Sequence, residues 1–474
     1  MMRTSRARPS EVNPLPDQTF NSLPLRPELL AAIDALGYQV MTPIQAQALP
    51  LLLGGQDLLA QAQTGSGKTA AFAIGILNRL DPQLYRSQAL VLCPTRELAE
   101  QVSNEIRRLA RTTPNVKVST LCGGQPLGPQ LASLQRDPHI VVGTPGRILK
   151  HLQSGSLKFE QLTSLVLDEA DRMLDMGFQE DILAIIRNLP AKRQTLLFSA
   201  TYPEDIQAVS NAVQHNPAMV RVAFTPDSGS TQQWFYPVGT DNRFHTLVAA
   251  LHYYLPQSSL VFCNQKQTCQ SLADELCDTG LHAMALHGDM EQFDRNQVLA
   301  LFANRSISIL VATDVAARGL DISELDAVIN YELALDPEVH IHRIGRTGRA
   351  GSEGLAISLF ADGDSRRLQA IEAYQGFPAR IAPAEVLESR PRGKLYPPMV
   401  TLMISGGRKD KLRAGDLLGA LTANDRLPAS AIGKITQFDK LSYVAIERRV
   451  VNQALEILSQ GNIKGRKFRV RKLG

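Results

Sequence analysis

Residues 164–174, SLVLDEADRML, set an apolar run directly against Asp168, Glu169 and Asp171, three carboxylates within four positions. Like charges this close repel and raise one another's pKa, so a chain with no use for them would scatter them along a solvated face. A multivalent cation removes the objection. Earlier in the chain, AQTGSGKTA at 62–70 follows the apolar DLLAQ and precedes the helix-like AAFAIGIL. That is the strand, loop and helix order of a phosphate-binding loop. From Gln63 and Thr64 through Gly65, Ser66 and Gly67, the small residues let backbone N–H groups approach an anion, and the following helix N-terminus adds its favourable dipole end. Lys68 would reach the β and γ phosphates, and Thr69 would place its hydroxyl on a magnesium ion. Ala62 stands where the first Gly of G-x-x-x-x-G-K-[ST] is expected, and the stretch alone would serve equally as a Gly-rich turn. In order with the carboxylates it says more. Asp168 and Glu169 emerge at the carboxyl end of an expected strand, where ligands of open α/β sheets bind. Asp168 would hold magnesium largely through water, and Glu169 would orient and deprotonate an attacking water.

Elements must position these groups. At 474 residues the chain suggests about three domains, taking roughly 150 residues for each. Short Val/Ile/Leu runs recur between turn residues: QALVLCP, HIVVGTP, SLVLDEA, QTLLFSA, SSLVFCN, AMALHGD, SISILVAT, DAVINYE and GLAISLF. Helix-like stretches such as RELAEQVSNEIRRLA and TCQSLADELCD lie between them, which implies parallel sheets in an α/β architecture. Turn formers without apolar periodicity break the pattern at FTPDSGSTQQ (224–233) and ESRPRGKLYPP (388–398). The expected organisation is a disordered tail at 1–17, a first lobe at 18–225, a linker at 226–233, a second lobe at 234–375, a linker at 376–396 and a small domain at 397–474.

Composition excludes several classes. No apolar run approaches the roughly 18 residues that span a bilayer, so no membrane partner is expected. The first residues, MMRTSRARPSEVNPLPDQ, are basic and Pro-rich but lack the apolar core of a secretion signal. Cys93, Cys122, Cys263, Cys269 and Cys277 are an odd number without C-x-x-C pairs, which argues for reduced thiols in a cytoplasm over disulfides or zinc. The net charge of +4 is unevenly spread: from Pro397 onward fifteen Lys or Arg face six Asp or Glu, leaving an acidic remainder. A basic terminal segment is an electrostatic footprint for nucleic acid, though a bare basic patch could equally aid solubility or touch a membrane surface.

The motifs in this order resemble those of DEAD-box RNA helicases over about residues 20–351. Phe20 and GYQVMTPIQ resemble the adenine-reading segment, with Gln45 on the base edge. PTRELA (94–99), GG (123–124) and TPGR (144–147) resemble the family's RNA-backbone contacts, which implies such roles for Thr95, Arg96, Gly124, Thr144 and Arg147. DEAD spans 168–171, and SAT at 199–201 resembles the motif linking hydrolysis to unwinding. VFCN (261–264), HGDMEQFDR (287–295), ATDVAARGLD (312–321) and HRIGRTGRAG (342–351) complete the series. Gly288 and Thr313 match RNA-facing positions, and Asp321 the position near the ribose. Arg346 and Arg349, flanked by glycines, suit the positive charge that phosphoryl transfer needs on the developing γ-phosphoryl. The resemblance implies two RecA-like parallel-sheet lobes that close on ATP and magnesium and grip one RNA strand by its phosphates and 2′-hydroxyls, favouring RNA over DNA with little base preference.

The final segment reads strand, helix, strand, strand, helix, strand, an α+β order that resembles an RNA-recognition motif. Its third strand offers only Tyr443 as an aromatic, so basic residues are the expected contacts: Arg408, Lys409, Lys411, Lys434, Arg448, Lys464, Arg466, Lys467 and Arg469. Core and cap together resemble a bacterial subgroup whose cap binds a hairpin of large-subunit ribosomal RNA. That implies a cytoplasmic enzyme acting on pre-ribosomal particles; the sequence leaves its oligomeric state open, with a monomer favoured. The alternatives are an ATP-gated RNA clamp or scaffold, a general cold-shock or RNA-decay helicase and, well behind these, a DNA translocase.

Overall fold

The short apolar runs pair as two all-parallel sheets. The computed structural model describes residues 19–62, 65–199, 201–202, 204–222, 231–239, 242–317, 325–348, 354–389, 393, 395–423 and 426–473. The expected tail at 1–17 and four expected site residues, Gln63, Thr64, Asp321 and Arg349, lie outside these. The chain forms two compact units that divide near residue 226.

In the first unit a seven-stranded sheet has the spatial order Val118–Leu121, Ile140–Gly143, Ala89–Leu92, Ser164–Leu167, Gln194–Ser199, Leu58–Gln61, Ala218–Arg221. Both faces are covered, which is why the strands read as continuous apolar runs. Leu58, Ala60, Val91 and Val166 enter one core layer, and Leu59, Leu90, Leu165 and Leu167 the other. Register carries the consequence for function. Gln61 is level with Ser199, Leu92 with both Leu167 and Gly143, and Leu121 with Gly143. The phosphate loop, PTRELA, GG, TPGR, DEAD and SAT therefore all leave the sheet at one edge.

The second unit holds a six-stranded parallel sheet in the order Ala283–Leu286, Ile309–Thr313, Ser259–Cys263, Ala327–Asn330, Gly354–Phe360, Thr231–Pro237. Two expected linkers differ. The strand Thr231–Pro237 starts inside the stretch read as 226–233. Residues 376–396 also pack onto the lobe: Ile381 bridges Phe235, and Leu387 and Leu395 are buried in its core. Isolated leucines among prolines and charges carry no period to reveal this.

The same unit ends in a four-stranded antiparallel sheet, Ile432–Gln437, Ser442–Glu447, Met399–Ile404, Val470–Leu473. Helices Ala414–Thr422 and Val451–Gln460 cover one face, burying Leu402, Leu417, Leu421, Val444, Ile446 and Leu458. The other face is not open to a nucleobase. Met403 and Tyr443 pack on Ala300 of the helix Gln292–Ala303, and Tyr443 is 2% exposed. Thr401 Oγ1 meets the Ser306 hydroxyl at 2.7 Å and accepts from Asn304 Nδ2 at 3.4 Å. Among the described residues no helix is long and apolar enough to cross a membrane. The five cysteines are free, with only Cys277 exposed.

Candidate nucleotide and RNA sites

Lys68 opens the helix Lys68–Arg79 directly after the glycine turn. Gly67 has φ +96°, a conformation that favours glycine, and a Cβ there would lie 2.6 Å from Gln45 Nε2 and 2.8 Å from Thr42 Oγ1, so any larger residue would also displace these side chains. Lys68 is buried, and its Nζ donates to the Ala62 carbonyl at 2.7 Å. Ser66 and Thr69 are half-buried beside it, whereas Gly65 is exposed. Gln45 Oε1 accepts from Thr42 N at 2.9 Å as part of a capping box, and its Nε2 donates to the Gly67 carbonyl at 3.2 Å. The residue expected to read a base thus also ties its helix to the phosphate loop. Phe20 is buried in the core and stacks on Tyr38 with ring centroids 6.4 Å apart.

The strand Ser164–Leu167 delivers Asp168 and Glu169 to the same edge, and both are buried. Burial, with smaller contributions from Glu169 and Asp171, pushes the Asp168 carboxyl up to about 7 against the opposing pull of Lys68. Glu169 adopts φ +53° and its carboxylate pairs with Arg172 Nε at 3.3 Å. Asp171 points elsewhere: its Oδ2 accepts from Thr201 N at 3.0 Å and from the Thr201 hydroxyl at 3.1 Å. Among the described residues no group of three His, Cys, Asp or Glu could hold a metal alone. The donors present, one hydroxyl and one carboxylate, suit a hard cation that keeps its waters and shares a nucleotide phosphate.

A second constellation lies along the same edge. Thr95 caps the helix Arg96–Leu109 by accepting from Leu98 N. The Arg96 guanidinium lies across Gly124, φ +65°, where a Cβ would fall 1.6 Å from Nη2. Gly123 N donates to Thr144 Oγ1 at 3.3 Å, and Arg147 Nη2 donates to the Gln125 carbonyl at 3.0 Å. Arg96, Thr144 and Arg147 thereby converge on the turn at 123–125, with Thr95 capping the helix that carries Arg96. Arg96 and Arg147 each bury an Nη1 without a hydrogen-bond partner among the described residues. Buried charged donors need an acceptor, and an anion would supply one.

In the second unit Gly288 is exposed, and Thr313 and Arg346 are buried. Arg343, which the sequence does not single out, gathers four segments of this unit. Arg343, 1% exposed, donates to both carboxylate oxygens of Asp314 at 2.7 Å, to Asn264 Oδ1 at 2.8 Å, to Asn330 Oδ1 at 3.1 Å and to the Glu332 carbonyl at 2.7 Å. Its guanidinium also lies over Phe262. Arg343 sits in the quoted HRIGRTGRAG, and a buried Arg requires a carboxylate, which ATDVAARGLD supplies next to Thr313. In the terminal domain Arg408, Lys409, Lys464, Arg466 and Lys467 are all exposed. Lys464 Nζ donates to the Lys411 carbonyl at 3.1 Å, which sets the turn at 463–466 beside the turn at 408–411.

A strand-loop-helix anion cradle, a buried acidic pair at the same sheet edge and a second parallel lobe define a nucleotide-hydrolysing helicase core. Family models agree along the chain: residues 42–209 match the DEAD/DEAH box helicase family, 242–351 the helicase conserved C-terminal domain and 401–472 the DbpA RNA binding domain. The chain belongs to the DEAD-box ATP-dependent RNA helicases. It is 51% identical over 462 residues to the ATP-dependent RNA helicase DbpA of Escherichia coli K12, covering 96% of this chain and 99% of that one. DbpA of Bacillus subtilis is 39% identical over 96% of this chain and 99% of its own. Saccharomyces cerevisiae Dbp5 bound to RNA and ADP BeF3 superposes with a TM-score of 0.71 at 32% identity, covering 78% of this chain and 98% of that one. The protein is thus an ATP-hydrolysing RNA helicase that carries a DbpA RNA-binding domain.

Proposed function

We propose that the protein separates short RNA duplexes during assembly of the large ribosomal subunit, in the cytoplasm and as a monomer, with its C-terminal domain holding it on a ribosomal RNA hairpin. The observation that carries this reading is the RNA-binding domain itself, whose sheet is occupied by the second lobe and whose basic turns, with Arg408, Lys409, Lys464, Arg466 and Lys467, are left exposed. The functional units are the lobe at 18–225, a second lobe that extends past the expected 234–375 to include its strand Thr231–Pro237 and the packed Ile381, Leu387 and Leu395, and the domain at 397–474.

Within the core, Phe20, Gln45, the loop from Gln63 to Thr69, and Asp321 take the nucleotide. Thr69 and Asp168 hold its magnesium, which supplies charge neutralisation at the phosphates. Glu169 accepts the proton of the attacking water. Lys68, Arg346 and Arg349 offset charge on the transferring phosphoryl group. Thr95, Arg96, Gly124, Thr144, Arg147, Gly288 and Thr313 contact the RNA backbone, a role supported by the partnerless donors of Arg96 and Arg147.

Strand displacement on duplexes joined to large-subunit ribosomal RNA fragments, compared with duplexes joined to unrelated RNA, tests the proposal. Faster unwinding beside one ribosomal fragment, lost in Arg466→Glu/Lys467→Glu with the unrelated substrate unaffected, is the expected result. Equal rates on all substrates would leave a general helicase. Tight ATP-dependent binding without displacement would leave a clamp.

A further inference from the structure

Behind Arg96, Gly124 and Arg147 lies a polar chain that no nucleotide or RNA role uses. His151, 0% exposed, and Gln130, 4% exposed, meet inside an otherwise apolar layer that includes Leu121, Leu134 and Ile148. His151 Nε2 stands 3.1 Å from Gln130 Oε1, and Gln130 Nε2 donates to the Cys122 carbonyl at 2.9 Å. On the far side His151 Nδ1 lies 2.8 Å from the Ser156 hydroxyl. A carbonyl can only accept, so the Gln130 amide nitrogen must face Cys122 and its oxygen must face His151, whose Nε2 therefore carries a proton, while Nδ1 is held by the Ser156 hydroxyl, which also reaches the His151 carbonyl at 3.2 Å. Burial, aided by Arg147 and Lys150, lowers the His151 pKa and favours its neutral form.

Each end of the chain is attached to an RNA-facing group. Cys122 immediately precedes Gly123 and Gly124, and Arg147 precedes His151 by one helical turn, on the same face of the helix Pro145–Gln153. We propose that His151 and Gln130 are positioning residues for RNA binding, clamping the helix that carries Arg147 and the strand end that carries Gly124 into one rigid cradle. The inference rests on the reading of Arg96, Gly124 and Arg147 as backbone contacts. Apolar side chains of similar size would fill the layer as well; what they could not do is fix the relative height of the two RNA-facing segments.

The test is RNA-stimulated ATP turnover of the full chain, titrated separately with RNA and with ATP. Gln130→Leu and His151→Leu should each raise the KM for RNA about tenfold, the order expected when one net buried hydrogen bond is lost from binding. The kcat at saturating RNA, the KM for ATP and turnover without RNA should stay unchanged. His151→Gln, which keeps a donor toward Gln130, should recover most of the loss. Gln130→Met, similar in volume but unable to make either bond, gives the same reading should a leucine variant fail to fold. A wild-type KM for RNA in the Leu and Met variants would overturn the proposal, as would an equal rise in both KM values or a His151→Gln variant as impaired as His151→Leu. Arg147→Ala is measured alongside: if it leaves the KM for RNA unchanged, the backbone-contact reading itself has failed, a result separate from any outcome at His151.

Discussion

The Asp171 carboxylate accepts both the backbone N–H and the hydroxyl of Thr201, at 3.0 and 3.1 Å, and so fastens the segment after the strand Ser164–Leu167 to the segment after the strand Gln194–Ser199. One acidic stretch thereby serves two purposes, since Asp168 and Glu169 stay at the nucleotide edge while Asp171 turns to its neighbour. Asp171→Ala removes both bonds to Thr201, together with the bond from Arg172 N at 2.9 Å, and leaves the side chains of Lys68, Asp168 and Glu169 in place. RNA-stimulated hydrolysis should stay within about threefold of wild type while strand displacement falls about tenfold or more, the order of a lost charge-assisted bond. Parallel losses in both assays would show that the link does not separate hydrolysis from work on RNA.

Glu169 is held by Arg172 at 3.3 Å in a left-handed backbone conformation, φ +53°, that fixes its carboxylate at the sheet edge. Glu169→Gln keeps an acceptor for Arg172 but cannot take a proton. Turnover should drop by about two to four orders of magnitude, the range for loss of a general base, while ATP affinity measured by a fluorescent analogue is retained. Wild-type turnover in this variant would remove Glu169 from the chemistry.

Asp168 gives a pH signature. Its carboxyl is pushed up to about 7, chiefly by burial, so the folded protein binds this proton more tightly than the unfolded chain does. Its contribution to stability is accordingly full below the ordinary value of 3.8 and is lost as pH rises toward 7. Ligand-free Asp168→Asn should therefore melt above wild type at pH 8, with the difference vanishing near pH 4. If Asp168 holds magnesium as proposed, it must do so ionised, and affinity for Mg·ATP should then fall below pH 7 by at most about tenfold per unit, one proton being displaced, and should be flat in Asp168→Asn. A melting difference that grows toward acid pH would reverse the assignment.

Much of this was legible in the chain, for a physical reason visible in which strands were found. Every strand buried between neighbours, such as Ala89–Leu92 or Ile309–Thr313, reads as an unbroken apolar run because both faces meet helices. The three unforeseen parallel strands, Val118–Leu121, Ala218–Arg221 and Thr231–Pro237, are all sheet edges, where Ser119, Thr120, Arg221 and the two glutamines at 232 and 233 are tolerated. The anion loop and acidic pair were legible because their chemistry is local in sequence. Arg343 was not, since Asn264, Asp314 and Asn330 come from three other segments and only folding collects them. The cover over Tyr443 was hidden likewise: Ala300 on the facing helix is too small to advertise an interface.

Arg343 and Asp314 should dominate the stability of the second unit. The pair is bidentate, with the guanidinium 1% exposed and the carboxylate 19% exposed. Asp314→Asn leaves a buried cation facing neutral acceptors and should cost about 3 kcal/mol, the lower range for breaking a buried pair. Lys266→Ala, which breaks a pair with Asp289 at 2.7 Å whose side chains are 56% and 61% exposed, should leave stability close to wild type. Denaturant midpoints of the two variants compare them directly, and similar midpoints would show that Asp314 is not the counter-ion that matters.

The basic turns of the C-terminal domain differ in how free their charges are. Lys464 is spoken for by the Lys411 carbonyl and by Asp416 at 3.6 Å, whereas exposed Arg466 and Lys467 form no ion pair among the described residues. If these two neutralise phosphates, each should release about 0.7–0.9 of a counter-ion on binding. Arg466→Ala/Lys467→Ala should then flatten the slope of log Kd against log salt for RNA by about 1.5, and weaken binding most at low salt. The measurement is a titration of labelled RNA across a potassium chloride series with wild type and the double variant. Parallel lines, displaced or not, would place the phosphates elsewhere on the protein, because a lost contact that carried charge cannot leave the salt dependence intact.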